Sequence, residues 1–180
     1  MRQDPRFADI DFKTSPGESG HFSGLQVKVH KEIVCMGPEG VNIRPEDTAP
    51  HLTPELFHEA LHGAGPDAVV LDCRYEYEYN VGHFREALKI PTRHFGDFPA
   101  AALQLVESQG LRDRPILAYC TGGIRCERAT AFLRSLGCHK VYQLQGGIHR
   151  YLESFPDGGL FKGRNLVFDK RESLAPLQYE

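Results

Sequence analysis

The sequence predicts an α/β domain with a central parallel sheet flanked by helices, preceded by a short N-terminal segment with one strand. Two short apolar runs, at residues 68–72 and 115–120, are typical of buried parallel strands. Segments with apolar residues at helical spacing alternate with these runs along the chain. In such sheets ligands bind outside the carboxyl ends of the strands, so residues that follow a strand are candidates for a site.

The first 50 residues show a different pattern. Residues 1–24 are rich in Asp, Ser, Gly and Pro and have few periodic apolar positions, so we expect a loop-like lead-in without a core of its own. Residues 25–34 alternate apolar and polar side chains at first, which predicts a half-buried strand. The Gly- and Pro-rich stretch at 37–50 predicts a linker to the rest of the chain.

From His51 onward the pattern predicts helices and strands in alternation. Thr53 is placed to cap a helix that begins with proline and is expected to end near His62. After the run at 115–120, several apolar residues fall at helical spacing before a stop at Gly137: Ala129, Phe132, Leu133 and Leu136. Residues 141–144 then predict another strand, closed by two glycines.

Composition limits the partners of the chain. Its 180 residues carry a net charge of -3, so an anionic partner such as nucleic acid requires a local basic patch. The sequence holds no apolar run of about 18 to 20 residues, the length of a membrane helix. Its first residues lack the apolar stretch of a secretory signal. We therefore expect a cytoplasmic protein without a membrane partner.

The five cysteines are expected to be reduced thiols. Their number is odd, their spacing is irregular, and the chain is long enough to bury a core without disulfides. His58 and His62 have the spacing of helical metal ligands, but no nearby Cys or carboxylate set completes a zinc site. We predict neither a metal nor another cofactor.

Cys120 follows a predicted strand and opens the loop Cys-Thr-Gly-Gly-Ile-Arg. The N–H groups of a glycine turn converge on a sulfur atom, and the helix that starts near Arg125 adds its positive end and a guanidinium, which favours a thiolate. A buried structural cysteine is the alternative, but such a position does not need two glycines beside an arginine. We predict that Cys120 is catalytic and that the rest of the loop binds substrate: Thr121, Gly122, Gly123, Ile124 and Arg125.

Residues 119–129 resemble the active-site loop and following helix of single-domain rhodaneses. Two further segments resemble signatures of that family in the expected order. They are residues 71–91, with Leu-Asp-Cys-Arg and Gly-His-Phe, and residues 145–148, Gln-Gly-Gly-Ile. The resemblance covers about residues 51–155 and implies a rhodanese-like domain.

A narrower resemblance extends beyond that domain. Residues 27–34, 142–151 and 161–169, with the wording Cys-Thr-Gly-Gly-Ile-Arg-Cys-Glu, are similar to a subgroup of rhodanese-like proteins. The subgroup includes bacterial tRNA wobble-uridine hydroxylases and eukaryotic thiosulfate sulfurtransferase-like domain-containing proteins. The resemblance implies three parts. Residues 1–50 are an N-terminal segment and linker, expected to be the remnant of a ferredoxin-like domain. Residues 51–155 are the rhodanese domain, and residues 156–180 are a C-terminal extension.

The family resemblance implies a sulfurtransferase. The Cys120 thiolate would take sulfur from a sulfane-sulfur donor such as thiosulfate, form a persulfide and pass the outer sulfur on, with Arg125 at the donor's anionic end. Related phosphatases have one more residue between the cysteine and the arginine, so the shorter loop favours sulfur over phosphate. One alternative is tRNA wobble-uridine hydroxylation with the same cysteine. Another is a non-catalytic module for protein binding, against which the retained Cys120 and Arg125 speak.

Residues around the loop have several interpretations. Cys126 either resolves a Cys120 persulfide as a disulfide or is a small residue beside the core. Asp72 and Arg74 are expected to pin neighbouring loops, and Cys73 to face the core. Between residues 120 and 171 the chain has nine Lys and Arg against four Asp and Glu. This excess forms either an ordinary solvated surface or a patch for an anionic partner such as tRNA, with four residues in it: Arg125, Arg128, Lys162 and Arg164.

Overall fold

The structure is a computed structural model that describes residues 4–8, 14, 20, 24, 27–40, 42–63, 65–168 and 172–176. Within these residues the strands are β1 (His51–Leu52), β2 (Val69–Asp72), β3 (Gly82–Phe84), β4 (Leu88–Lys89), β5 (Ile116–Tyr119), β6 (Val141–Leu144), β7 (Phe161–Gly163), β8 (Asn165–Leu166) and β9 (Ser173–Leu174). The α-helices are α1 (Pro54–Gly63), α2 (Glu76–Val81), α3 (Phe98–Gln109), α4 (Ile124–Ser135) and α5 (Gly147–Ser154).

The central sheet confirms the predicted α/β class. Its five strands lie in the order β1-β6-β5-β2-β4, and every neighbouring pair is parallel. Strand β5 occupies the middle position and is buried along its whole length. The residue that follows β5 therefore emerges at the centre of the carboxyl edge, where ligands bind in sheets of this kind.

Helices cover both faces of the sheet. Alternate residues of β5 point to opposite faces, so Ala118 packs in the core under α3 and α4, while Tyr119 packs in the core under α1 and α5. Phe98 and Phe132 fill the first core, and Phe57 and Tyr151 fill the second. Among the described residues no helix is long and apolar enough to cross a membrane.

The predicted helix boundaries around the site agree with the structure. Helix α1 begins at Pro54, and the Leu56 N–H donates to Thr53 Oγ1 at 3.3 Å, which is the expected cap. Helix α4 begins at Ile124, one residue before the expected start, and Gly137 follows it with a φ of 89°.

The strand expected in residues 25–34 differs from the structure. Residues 25 and 26 lie outside the described residues, and residues 27–34 contain no regular strand. Val27 and Val29 are 82% and 98% exposed, and the polar residues next to them are exposed too, so neither set of alternating side chains is buried. Alternation predicts a strand only where a neighbouring strand and a core are present to pair with it.

The stretch expected to be a linker packs against helix α4. Met36 and Ala49 are buried in the core. The Ala49 N–H donates to Thr130 Oγ1 at 3.1 Å, and Arg134 donates to the carbonyl oxygens of Asp47 and Thr48 at 2.9 and 2.7 Å. These residues are therefore fixed on the domain. The origin of residues 1–50 as a remnant of a ferredoxin-like domain stays a prediction.

The C-terminal extension is also fixed on the domain. Strand β7 pairs antiparallel with β3, and β8 pairs with β9. A Cβ atom at Gly82 would lie 2.5 Å from the carbonyl oxygen of Arg164, so only glycine permits the extension to cross the end of α2 this closely. The crossing carries residues 164–168 along α2 toward the carboxyl edge of the sheet.

A buried ionic network joins the strands beneath the carboxyl edge. Arg74 donates two N–H groups to the Asp72 carboxylate at 2.7 and 2.9 Å and one to the Gly82 carbonyl oxygen at 2.5 Å. The Tyr119 hydroxyl donates to Asp72 at 2.7 Å. Asp72 and Arg74 thus pin neighbouring segments, as the sequence predicted, and Cys73 between them is buried in the core.

Removal of one partner from this network should destabilise the fold. We expect Asp72→Ala to lower the free energy of unfolding by about 3–5 kcal/mol, because it leaves the buried Arg74 charge without compensation. Urea denaturation followed by circular dichroism measures the change. Asp47→Ala, which removes an exposed ion pair with Arg44, is the matched control and should leave the midpoint nearly unchanged. Equal effects of the two substitutions would contradict a structural role for the buried pair.

Candidate active site

Cys120 lies at the carboxyl end of β5, in the turn that leads into α4. Its side chain is buried, and the Gly123 N–H donates to Sγ at 3.2 Å. Gly123 is the N-cap of α4 and has a φ of 91°. The sequence predicted this arrangement of strand, glycine turn and helix around the sulfur, and the structure has it.

The start of α5 holds the Cys120 turn in place through backbone hydrogen bonds. The N–H groups of Ile148 and His149 donate to the carbonyl oxygens of Cys120 and Thr121, each at 3.0 Å. A Cβ atom at Gly147, where φ is 66°, would lie 2.5 Å from the Cys120 carbonyl oxygen and 2.7 Å from the Gly122 nitrogen. Glycine at position 147 therefore allows the contact that fixes the Cys120 loop.

The environment of Cys120 favours the thiolate. A hydrogen bond with the Cys126 thiol lowers the pKa of Cys120 to about 6, burial opposes this shift, and the charge of Arg125 and loop N–H groups add to it. A thiol with this pKa is mostly ionised at neutral pH, and a thiolate is the nucleophilic form of cysteine.

Cys126 is buried in the same core as two other cysteines, Cys120 and Cys73. Burial raises its pKa well above the ordinary value, and hydrogen bonds with Cys120 and Cys73 act in the same direction. Cys126 is fully buried in the core. A buried thiol that stays protonated is a poor nucleophile but a suitable hydrogen-bond donor, so the opposite directions of the two pKa shifts suit a role for Cys126 in stabilising the Cys120 thiolate.

Arg125 is held by Glu78, a residue of α2 that sequence reasoning did not place in the site. Arg125 Nη1 and Nη2 donate to the two carboxylate oxygens of Glu78 at 2.6 and 2.8 Å. Thr121 Oγ1 lies 3.0 Å from both Glu78 Oε1 and Arg125 Nη2, and the Tyr75 N–H donates to Glu78 Oε2 at 3.1 Å. Burial opposes ionisation of Glu78, but the hydrogen bonds from Arg125 prevail and lower its pKa.

The ion pair with Glu78 bears on the predicted role of Arg125 in binding the anionic end of a sulfur donor. The Arg125 side chain is 9% exposed, and the charge is compensated by a fully buried carboxylate. Binding the anionic end of a sulfur donor requires this pair to open, so that role stays a prediction. In the observed geometry Arg125 acts on Cys120 through its charge and positions Thr121.

The other predicted loop residues surround the sulfur in different ways. Thr121 and Gly122 are half-buried, and Ile124 is 48% exposed beside the turn. Two aromatic residues that the sequence did not indicate also lie here, since the Arg125 guanidinium carbon is 5.0 Å from the ring centre of Tyr75 and 5.8 Å from that of Phe168. A buried arginine needs a carboxylate partner, and this requirement is the signal that could have directed the sequence analysis to an acidic residue such as Glu78.

The basic residues predicted as an RNA-binding patch are largely engaged by the protein itself. Arg125 pairs with Glu78, Arg128 contacts Glu32 and the Gly40 carbonyl oxygen, and Arg164 donates to Ser173. Lys162 is exposed on β7. Several of the counted charges therefore stabilise the fold instead of forming one open surface.

The described residues contain no cluster of three or more His, Cys, Asp or Glu that is arranged to hold a metal ion. The two histidines with ligand spacing contact each other, with His58 Nε2 and His62 Nε2 3.1 Å apart, and His58 Nδ1 lies 2.6 Å from the Tyr151 hydroxyl.

Comparison with solved structures agrees with the fold. The Rhodanese-like domain from an Anabaena protein is 25% identical, with a TM-score of 0.52, over 64% of this chain and 80% of that chain. A thiosulfate sulfurtransferase from Pseudomonas aeruginosa has the same TM-score at 19% identity, over 69% of this chain and 22% of that chain, and shows a likeness of fold alone.

Curated relatives match nearly the whole chain. Proteins named tRNA uridine(34) hydroxylase from Legionella pneumophila (strain Lens), Onion yellows phytoplasma and Rhodococcus opacus are 39%, 39% and 40% identical to it. The matches cover 97%, 100% and 93% of this chain, but 67%, 58% and 60% of the relatives. The family model of the Rhodanese-like domain matches residues 53–154. The chain therefore belongs to the rhodanese-like domain family.

Proposed function

We propose that this chain is the part of a tRNA uridine-34 hydroxylase that carries the reacting cysteine, and that Cys120 is the nucleophile. Hydroxylation is a two-electron oxidation, so the reaction takes its oxygen atom and oxidising equivalents from an external oxidant such as dioxygen. Relatives with that name are similar over 93–100% of the chain, which extends on both sides of the rhodanese-like residues 53–154. The chain spans 58–67% of the length of these relatives.

The observation that carries this proposal is the neutralisation of Arg125 by Glu78. The Cys120 thiolate and the Glu78 carboxylate together hold two negative charges, and Arg125 supplies one positive charge. A net negative site repels a dianion such as thiosulfate, because buried charges are weakly screened. The uracil base of uridine is uncharged and meets no such repulsion. The charge balance thus favours a neutral reacting group.

Sulfur transfer is the second candidate function, and the loop around Cys120 favours it. The Gly123 N–H points at the sulfur, and the loop N–H groups that stabilise a thiolate would equally hold the outer sulfur of a persulfide. A persulfide group carries at most one negative charge, so a persulfide donor fits the charge balance better than the thiosulfate dianion does. A protein-binding module without chemistry needs no thiolate, which makes that alternative the weakest of the three.

The ionisation of Cys120 is measurable through its alkylation by iodoacetamide. We expect the rate at Cys120, read by mass spectrometry of peptides, to rise with pH around a midpoint near pH 6. Cys126→Ala should move the midpoint upward because the thiolate loses its hydrogen bond. Cys126→Ser, which keeps a donor, should stay closer to the wild type. If the pH midpoint of Cys120 alkylation is the same in the wild type and in both variants, the proposed hydrogen bond from Cys126 to Cys120 is excluded.

The proposed reaction is tested on the protein together with any natural sequence that flanks this chain. We expect a bacterium that lacks its own tRNA uridine(34) hydroxylase to regain hydroxylated uridine in its tRNA when it expresses this protein, as measured by nucleoside mass spectrometry. Cys120→Ser should abolish the product, because a serine hydroxyl stays protonated at neutral pH and is a weak nucleophile.

Two results separate the candidate functions. Hydroxylated uridine that depends on Cys120, with little one-sulfur adduct on Cys120 after thiosulfate treatment, supports hydroxylation. If no hydroxylated uridine forms, while thiosulfate is turned over and leaves a stoichiometric one-sulfur adduct on Cys120, then sulfur transfer replaces hydroxylation as the proposed function. Cys138→Ser, at another buried cysteine, is the matched control and should not change either result.

A further inference from the structure

Aromatic rings and a guanidinium form a continuous row beside Cys120. Tyr77 and Tyr75 are stacked with ring centres 5.5 Å apart, Tyr75 lies 5.0 Å from the Arg125 guanidinium carbon, and that carbon lies 5.8 Å from the ring centre of Phe168. We call these four residues the aromatic row. The sequence alone predicts no role for the three rings.

The two ends of the row are open to solvent. Phe168 is 67% exposed and Tyr77 is 48% exposed, whereas Arg125 at the centre is buried. Exposed single apolar residues are common on proteins. Here, however, the open rings are connected to the side chain that also acts electrostatically on the Cys120 sulfur, so a molecule that stacks on them binds beside the Cys120 loop.

Phe168 is positioned by the backbone of the C-terminal extension. The Val167 N–H donates to the Glu172 carbonyl oxygen at 2.8 Å, and the Arg164 side chain donates to Ser173 Oγ at 2.9 Å. The close crossing at Gly82 holds the start of the same segment against α2. The extension therefore presents the phenyl ring at a defined place above Arg125.

We infer that the aromatic row is a stacking platform for an unpaired nucleobase of single-stranded RNA, which it holds beside Cys120. The inference rests on the proposed tRNA substrate and names where its base binds. Bases of single-stranded RNA stack on aromatic side chains and on arginine planes. The row offers both kinds of surface in one place, and its compensated charge suits a neutral ring.

Two exposed cations belong to segments that adjoin the row in sequence or by a hydrogen bond, and they suit the phosphates of an RNA strand. Lys162 is exposed on β7, in the segment that leads to Phe168. Arg93 is also exposed. It lies near the Tyr77 end of the row, because the N–H of Glu76, which precedes Tyr77, donates to the carbonyl oxygen of Thr92, which precedes Arg93, at 3.4 Å. Phosphate contacts from such residues would position the strand without selecting its sequence.

A docked protein fits the aromatic row less well than a base does. A stable protein interface buries about 800 Å² on each partner, and two half-open rings supply only a small part of that area. A nucleobase needs only one or two ring faces, which the row provides. The observations therefore favour RNA, and the binding experiment must distinguish an unpaired base from a duplex.

The test uses a tRNA anticodon stem-loop with a fluorescent uridine analogue at the wobble position. We expect Phe168→Ala and Tyr77→Ala each to weaken binding by about five- to hundredfold, the range for loss of one stacked base. Binding to the wild type should quench the analogue, and the alanine variants should lose the quenching. Phe168→Tyr keeps a ring and should restore both signals.

Matched controls separate stacking from a general loss of structure. Tyr142→Ala removes a tyrosine that is 38% exposed near the amino end of β6 and should change neither signal. The pH midpoint of Cys120 alkylation should stay near the wild-type value in Phe168→Ala. A duplex with the same uridine paired should bind without quenching the analogue.

The outcomes distinguish this inference from the proposed function. If tRNA hydroxylation depends on Cys120 but Phe168→Ala and Tyr77→Ala bind and quench as the wild type does, the platform is wrong and the function stands. If the stem-loop binds through the row but no hydroxylated uridine forms, the platform stands and the function is wrong. Failure of the wild type to bind the stem-loop would overturn the platform.

Discussion

The buried ion pair between Glu78 and Arg125 is the interaction on which the rest of the site depends. It joins α2 to the first turn of α4, and the same carboxylate contacts Thr121 and the Tyr75 N–H. Two segments 47 residues apart in sequence are thereby fixed around the Cys120 loop. A single buried charge would be costly, but the pair with its additional hydrogen bonds is satisfied. The pair also determines the charge that an incoming molecule meets.

Cys120 depends on this framework and on the core behind it. The loop N–H groups, the charge of Arg125 and the Cys126 thiol all lower the pKa of Cys120, while the pKa of the buried Cys126 is raised. The start of α5 locks the loop through Gly147, where no side chain fits. A thiolate in a buried site with a neutralised arginine is suited to an uncharged partner, and the exposed rings beside it supply a surface on which a flat, neutral base stacks.

The parts of the candidate site that were predicted from the sequence are local, and those that were not predicted are distant. Cys120, its glycines and Arg125 belong to one strand-turn-helix segment, so their arrangement follows from their order along the chain. Glu78 and Phe168 reach Arg125 only through the tertiary fold, and no spacing rule links them to it. The alternation in residues 25–34 gave a wrong prediction for residues 27–34, because a strand needs a neighbouring strand that the pattern itself does not show.

The charge balance at Cys120 is tested most directly by comparing iodoacetamide, which is neutral, with iodoacetate, which is anionic. The ratio of their rates at Cys120, normalised to the exposed Cys35, should strongly favour the neutral reagent. Glu78→Gln should shift the ratio toward iodoacetate, because Arg125 then keeps an uncompensated positive charge. If iodoacetate instead reacts relatively faster at Cys120 than at Cys35 in the wild type, Arg125 is not neutralised. Thiosulfate would then be the favoured substrate.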